Sequence, residues 1–313
     1  MVRRAVLRIR AAYIACCVLW GSSWMMIKIG LRDLPPFLFA GSRMILASAV
    51  LLPFAIRAGL RGYSRRTWGF LIGLGLLQIG IPYALLFSGQ QWVPSALAAV
   101  LFATFPVWLA LLAHAFLPDQ RLTTRNVLAA LLGVLGIAVI EIPALGGQTL
   151  SPRVAAGGAL VVSASMLIAF ANVLVRKELR GLPPVVVTFG QVLSGALFLV
   201  ALASALETGR AASFTPRAAI AVVYLAVFGT VVTYLLFFWL FPRVPMSAIG
   251  AIPLLDTSIA VALGVIVLRE RAGWPLFVGG ALVLSGAALA NEQTAPPGAE
   301  TLRVGQSTSF RRK

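Results

Sequence analysis

The sequence predicts an all-α polytopic membrane protein of ten transmembrane helices, arranged as two inverted five-helix repeats with both termini in the cytoplasm. Three observations predict it. The 313 residues are 60% hydrophobic and only 11% charged, with a mean hydropathy of +0.95, whereas a soluble domain carries about a quarter of its residues as charges. Uncharged runs long enough to cross a hydrocarbon core of roughly 30 Å, at about 1.5 Å of rise per residue, recur along the chain. The second half also restates landmarks of the first. A transmembrane barrel is excluded, because its strands need only about ten residues each with alternating polar positions.

In order, Arg3, Arg4, Arg8 and Arg10 form a basic arm of the kind retained in the cytoplasm. Ten apolar spans follow, at about 11–31, 37–56, 67–89, 94–117, 124–140, 154–175, 184–206, 217–240, 246–268 and 272–291. The connections are short and often carry Pro or Gly, as in LPP at 34–36 and GLPP at 181–184. Residues 67–118 are 52 uncharged positions that must form two helices through a hairpin near Gln90, Gln91, Trp92 and Pro94. The first apolar run lacks a small-residue cleavage site, so no cleavable leader is expected. Residues 292–313 read as a disordered cytoplasmic tail ending in Arg311, Arg312 and Lys313.

Charge bias checks the count, since cytoplasmic loops collect Lys and Arg. With the N-terminus inside, 18 Lys and Arg residues fall on that side and 6 on the other. The formal charge of +17 is therefore spread over helix ends rather than gathered on one face, and no nucleic-acid partner is expected. Cys16 and Cys17 are neighbours and match no metal spacing. No metal, cofactor or catalytic residue is expected.

An offset of 148 sets Leu34, Pro35 and Pro36 on Leu182, Pro183 and Pro184, and Lys28 on Arg176. An offset of 151 sets Tyr83 on Tyr234, Pro94 on Pro245 and Asp119 on Glu270. With one residue of slippage, Gly136 meets Gly286. The repeats are thus 1–145 and 151–291, five spans each. An odd count makes the second enter the membrane from the opposite side, the architecture that gives alternating access around a midplane site. Pro106 in span four and Pro253 in its mate, span nine, each free a backbone carbonyl one turn earlier. In a cavity wall that carbonyl is available to a ligand; elsewhere the proline only kinks the helix for packing.

Two charges lie inside spans where lipid penalises them. Asp256 has 12 uncharged residues on either side, between Arg243 and Arg269, and a carboxylate at that depth needs water, a partner or a proton. It can meet an ammonium, exchange a proton, or hydrogen-bond Thr257 and Ser258 as part of packing. Arg43 has nine uncharged residues before it and 13 after; it can hold a carboxylate bidentately or anchor helix packing. Lys28, near a span end, is expected to snorkel, and His114 to sit at a solvated helix end. Trp68, Trp92, Trp239 and Trp274 fall at span ends, as interfacial tryptophans do. Trp20, Trp108, Tyr83, Tyr224 and Tyr234 lie deeper and either line a pocket or pack against neighbours. Ser22, Gln78, Ser165 and Asn172 offer neutral hydrogen bonds, to a substrate or between helices. The candidate binding set is therefore Trp20, Ser22, Arg43, Gln78, Tyr83, Trp108, Ser165, Asn172, Tyr234 and Asp256.

Leu19–Trp24 (LWGSSW), Ala40–Leu46 (AGSRMIL) and Leu268–Arg271 (LRER), in this order and spacing, resemble the drug/metabolite transporter superfamily. The likeness is to its ten-helix members with duplicated EamA-type domains, and it covers roughly residues 11–291. The chain departs from that pattern at Pro118-Asp119-Gln120-Arg121, where a Gly-Glu-Arg-like element is usual, and at Phe170, near a frequent tryptophan. The resemblance implies a secondary transporter in a bacterial inner membrane, commonly an exporter of amino acids or other small metabolites. Within the family the chain is similar to exporters of aromatic and other neutral amino acids. A multidrug or nucleotide-sugar transporter is the alternative, and an intramembrane enzyme or a structural or sensor protein a distant one. The implied partners are a small-molecule substrate and the lipid bilayer. The sequence leaves the oligomeric state open, the monomer included.

Overall fold

The computed structural model describes residues 2–90, 92, 101–102, 104–118, 122–140, 152–179, 181–268 and 274–291. Among these there is no strand. Six helical stretches are long and apolar enough to cross a membrane: Arg4–Ile27, Pro36–Arg57, Arg65–Gly89, Pro152–Glu178, Pro184–Leu206 and Pro216–Leu240. Shorter apolar helices accompany them. The helices are α1 (Val2–Gly30), α2 (Pro36–Arg57), α3 (Arg65–Gly75), α4 (Ile81–Gln90), α5 (Phe105–Phe116), α6 (Thr124–Ile140), α7 (Pro152–Glu178), α8 (Pro184–Leu206), α9 (Pro216–Ala226), α10 (Thr233–Leu240), α11 (Met246–Leu268) and α12 (Trp274–Asn291). The basic arm is not separate from the first span, since α1 is already helical at Val2. The hairpin expected near Gln91 and Pro94, the tail 292–313, Asp119 and Glu270 lie outside the described residues.

Local chemistry sets the helix starts in pairs. Pro35 and Pro183 cap α2 and α8 with near-identical backbone angles (φ −58° for both, ψ 146° and 134°), and each helix opens on a proline whose missing N–H costs nothing there. Ser64 accepts the Thr67 amide at the start of α3, and Thr215 accepts the Ala218 amide at the start of α9, a cap contributing about 1 kcal/mol. These two caps are 151 residues apart.

Sequence periodicity predicts continuous third and eighth spans, yet both are interrupted. A π-helical turn, Leu76–Gly80, joins α3 to α4, and another, Val227–Val232, joins α9 to α10. The turns begin 151 residues apart. In and just after the second, the Thr230 and Thr233 hydroxyls donate to carbonyls five residues back, Leu225 and Phe228, which occupies acceptors that the widened ladder changes.

α2 packs along α8, and α6 along α12. Both pairs are antiparallel. A Cβ on Gly41 of α2 would strike Val200 of α8, while the start of α2 meets Glu207 just past the end of α8. Gly136 and Gly286 are the close-approach points of the α6–α12 pair: a Cβ there would stand 2.6 Å from the Gly279 and Ala129 carbonyl oxygens respectively.

The chain ends of these helices are tied differently at the two faces of the bundle. At one face the buried Glu207 carboxylate accepts the Phe37 and Leu38 amides (2.9 and 2.8 Å), closing off the first turn of α2. Beside it, Asp33 accepts from the Arg217 guanidinium at 2.9 and 3.1 Å and from the Thr215 hydroxyl. These hydrogen bonds hold the Asp33 carboxyl below its ordinary value of 3.8, with Arg217 the larger cause. At the other face Arg176 donates to the Phe241 and Val244 carbonyls, and Arg125 to the Leu289 carbonyl.

Candidate functional site

The first, second, third, fourth, sixth, eighth and ninth spans converge on a cavity of about 150 Å³. Its wall is aromatic. Trp20 meets Phe237 and Tyr234 edge-on, with ring centroids 4.9 and 5.6 Å apart, and Tyr83 meets Phe87 at 5.9 Å. The Trp20 indole donates to the Gly229 carbonyl at 3.2 Å, fixing the ring against the second π turn. That turn brings Gly229 to the wall, as the first brings Gln78. Pro253, inside α11, also reaches the wall one turn before Asp256.

Both intramembrane charges open into this cavity. Arg43 and Asp256 line it, each only 7% exposed. Arg43 stands over the Tyr83 ring, its guanidinium carbon 5.3 Å from the centroid, and its Nε has no hydrogen-bond partner. The Gln78 and Asn172 side-chain oxygens, likewise buried at the wall, also have none. A buried polar atom left so costs about 1–3 kcal/mol. Three of them around one cavity give it unfilled capacity to donate through Arg43 and accept through Gln78 and Asn172. The π segment explains Gln78: an extra residue in the turn re-aims the side chain.

Of the sequence candidates, Trp20, Arg43, Gln78, Tyr83, Asn172, Tyr234 and Asp256 are brought together here. Ser22, Trp108 and Ser165 are not, because each is spent on a helix contact. The Ser22 hydroxyl pairs with Tyr224 at 2.7 Å, the Trp108 indole donates to Thr104 at 3.2 Å, and Ser165 donates to the Phe102 carbonyl at 3.2 Å. Sequence reasoning missed Phe87, Phe102, Phe105 and Phe237, which look like ordinary apolar span residues. The mate relation could have found two of them, since Phe105 stands 151 before Asp256 and Phe102 stands 151 before Pro253. His114 is exposed and accepts the Leu122 amide at 3.3 Å, a helix-end contact remote from the cavity.

A helical bundle that buries two opposite charges and three unpartnered polar atoms around an aromatic midspan cavity belongs to the class of polytopic membrane proteins. The comparisons define it further. Residues 10–142 and 155–291 each match the EamA-like transporter family, and the chain belongs to that family. It is 28% identical over 267 residues to the uncharacterized inner membrane transporter YedA of Escherichia coli K12, covering 83% of each chain. It is 22% identical over 285 residues to the uncharacterized transporter YoaV of Bacillus subtilis, covering 90% of this chain and 96% of that one. An uncharacterized transporter of Archaeoglobus fulgidus is 24% identical over 273 residues, covering 86% and 92%. A solved structure matches the fold with a TM-score of 0.79 at 22% identity, covering 91% of this chain and 97% of that one. The protein is thus a membrane transporter of the EamA-like family.

Proposed function

We propose that the protein is a secondary transporter that exports small zwitterionic metabolites, amino acids with aromatic or other neutral side chains, across a bacterial inner membrane. It works by alternating access of two inverted repeats, 1–145 and 151–291, with both termini cytoplasmic. The observation that carries the substrate class is that Arg43 and Asp256 share one aromatic-walled cavity. A guanidinium suits a carboxylate, a carboxylate suits an ammonium, and rings between them suit an apolar side chain.

Supporting the inversion, the Ser64 and Thr215 caps and the π turns recur at an offset of 151 and the proline caps at 148, and α2 and α8 are antiparallel although equivalent in the repeat. Supporting the topology, two contacts between distant connections each join segments that charge bias puts on one side: Asp33 with Arg217 on the outer side, Arg176 with Val244 on the inner. Cavity size favours a small metabolite over a drug or nucleotide sugar, since sites for drug-sized ligands run to about 300–1,000 Å³. Arg43 further disfavours a cationic drug.

The test is counterflow in liposomes against a panel of labelled amino acids at two pH values. Asp256→Ala should abolish exchange while leaving membrane abundance unchanged. Undiminished exchange by that variant refutes the site, and a panel with no exchanged member refutes the substrate class.

A further inference from the structure

Gln191 of α8 is fully buried, and neither its amide nitrogen nor its amide oxygen has a hydrogen-bond partner. Folding has removed this amide from water without replacing either bond. A leucine would fill the same space without that cost. The central cavity does not reach it, so the wall described above leaves the residue unexplained.

Its place in the fold supplies the account. α2 and α8 begin on equivalent prolines, Pro36 and Pro184, so Arg43 and Gln191 are both eighth residues of equivalent helices. Much of the cavity wall also falls into mates. Trp20 with Ile168, Tyr83 with Tyr234, Leu86 with Phe237, and Phe105 with Asp256 all line it, whichever half they come from. Ile27 and Phe87 break this pattern. They line the cavity, but their mates Val175 and Phe238 line a separate pocket of about 640 Å³ at the opposite face. Arg43 behaves as they do. Gln191 lies one turn along α8 from Val187, which lines that second pocket too. Apart from Asn172, one turn past Ile168, the cavity therefore extends from the pseudo-twofold centre toward Arg43, Ile27 and Phe87 and away from their mates.

When two inverted repeats differ in conformation, exchanging their conformations generates the opposite-facing state. The exchanged cavity withdraws from Ile27, Phe87 and Arg43 and extends toward Val175, Phe238 and Gln191. We propose that Gln191 is a substrate-contacting residue of that opposite-facing state, taking there the place Arg43 holds here and offering a carboxylate an amide N–H. This rests on the inverted-repeat reading. Because the amide carries no charge and lacks the two parallel N–H bonds of a guanidinium fork, the carboxylate is held more weakly on the Gln191 side.

The test uses the full chain with Cys16→Ala and Cys17→Ala, in right-side-out and inverted membrane vesicles, and a membrane-impermeant methanethiosulfonate. Gln191→Cys and Arg43→Cys should each react, from opposite faces of the membrane, while Val192→Cys, fully buried beside it, does not react. Reaction at Arg43→Cys with none at Gln191→Cys overturns the inference and leaves the repeat reading standing. Reaction of both from the same face overturns the repeat reading itself. Equal reaction at Val192→Cys indicates local unfolding and also overturns the inference. Gln191→Leu gives a second, independent readout: it should keep the folded yield of the wild type and lose counterflow of labelled L-phenylalanine that the wild type supports. Undiminished counterflow counts against the proposal.

Discussion

Arg43→Gln is the substitution whose effect follows most directly from the cavity. The guanidinium offers a carboxylate two parallel N–H bonds and a positive charge, whereas an amide offers one such bond and no charge. A bond to a charged group contributes about 1.5–3 kcal/mol. Losing one of the two costs roughly that much, or about ten- to a hundredfold in affinity. The fold should tolerate the change. The variant loses the Tyr83 contact at 5.3 Å, about 0.5–2 kcal/mol for a cation over a ring, but it also removes a buried charge whose Nε has no partner. Arg43→Lys keeps the charge without the planar fork, so its loss should be intermediate. The assay is the concentration dependence of amino acid counterflow in proteoliposomes, run beside the corresponding amino acid amide, which has no carboxylate. Wild type should discriminate strongly against the amide and Arg43→Gln only weakly. A variant with half-saturation unchanged and discrimination intact refutes the assignment of Arg43 to the carboxylate.

Two further outcomes test the scaffold. Gly136→Val should sharply reduce folded protein in the membrane, because even a Cβ there lies 2.6–2.8 Å from backbone and side-chain atoms of α12 and overpacking costs about 1–3 kcal/mol; a wild-type yield and melting temperature would contradict the close approach. At the face that holds Asp33, a carboxyl held below its ordinary value favours the folded state above that value and loses the contribution as pH falls through the lowered one. The difference in melting temperature between wild type and Asp33→Asn should therefore stay constant from pH 7 to 5 and shrink only below 3.8; a difference that titrates between pH 5 and 7 contradicts the Arg217 contact.

Hydropathy made the helical class legible, because burial in lipid leaves long uncharged runs that no other environment requires. Depth was legible too: Asp256 and Arg43 announce themselves by their distance from the nearest charge. Orientation around the helix was not, which is why Ser22 and Ser165, with the same polarity as Asn172, were grouped with it. In a span apolar on every side, a small hydroxyl that bonds a carbonyl within the bundle looks the same in sequence as one that faces a cavity. The π turns were hidden for a related reason. They add one residue without changing composition, so Leu76–Gly80 and Val227–Val232 read as uninterrupted helix. The Glu207 carboxylate escaped notice because it lies at a helix end, where a charge draws no attention, and its partners are backbone amides of another helix.

The distribution of charge between mates carries a mechanical consequence. Arg43 stands opposite Gln191 and Asp256 opposite Phe105, so neither charge is duplicated by the repeat. The cation belongs to the first half and the anion to the second. A zwitterion held at both ends then bridges the two halves, whereas an amine alone or an acid alone touches only one. The alternating access proposed above requires the halves to move together around their contents, and a ligand can shift that equilibrium only by binding one arrangement better than another. On this reading the separation of the two charges makes occupancy by the whole zwitterion, rather than by either of its charged groups, the condition for the change of state. Amine-only and acid-only analogues should accordingly compete for the cavity without being exchanged.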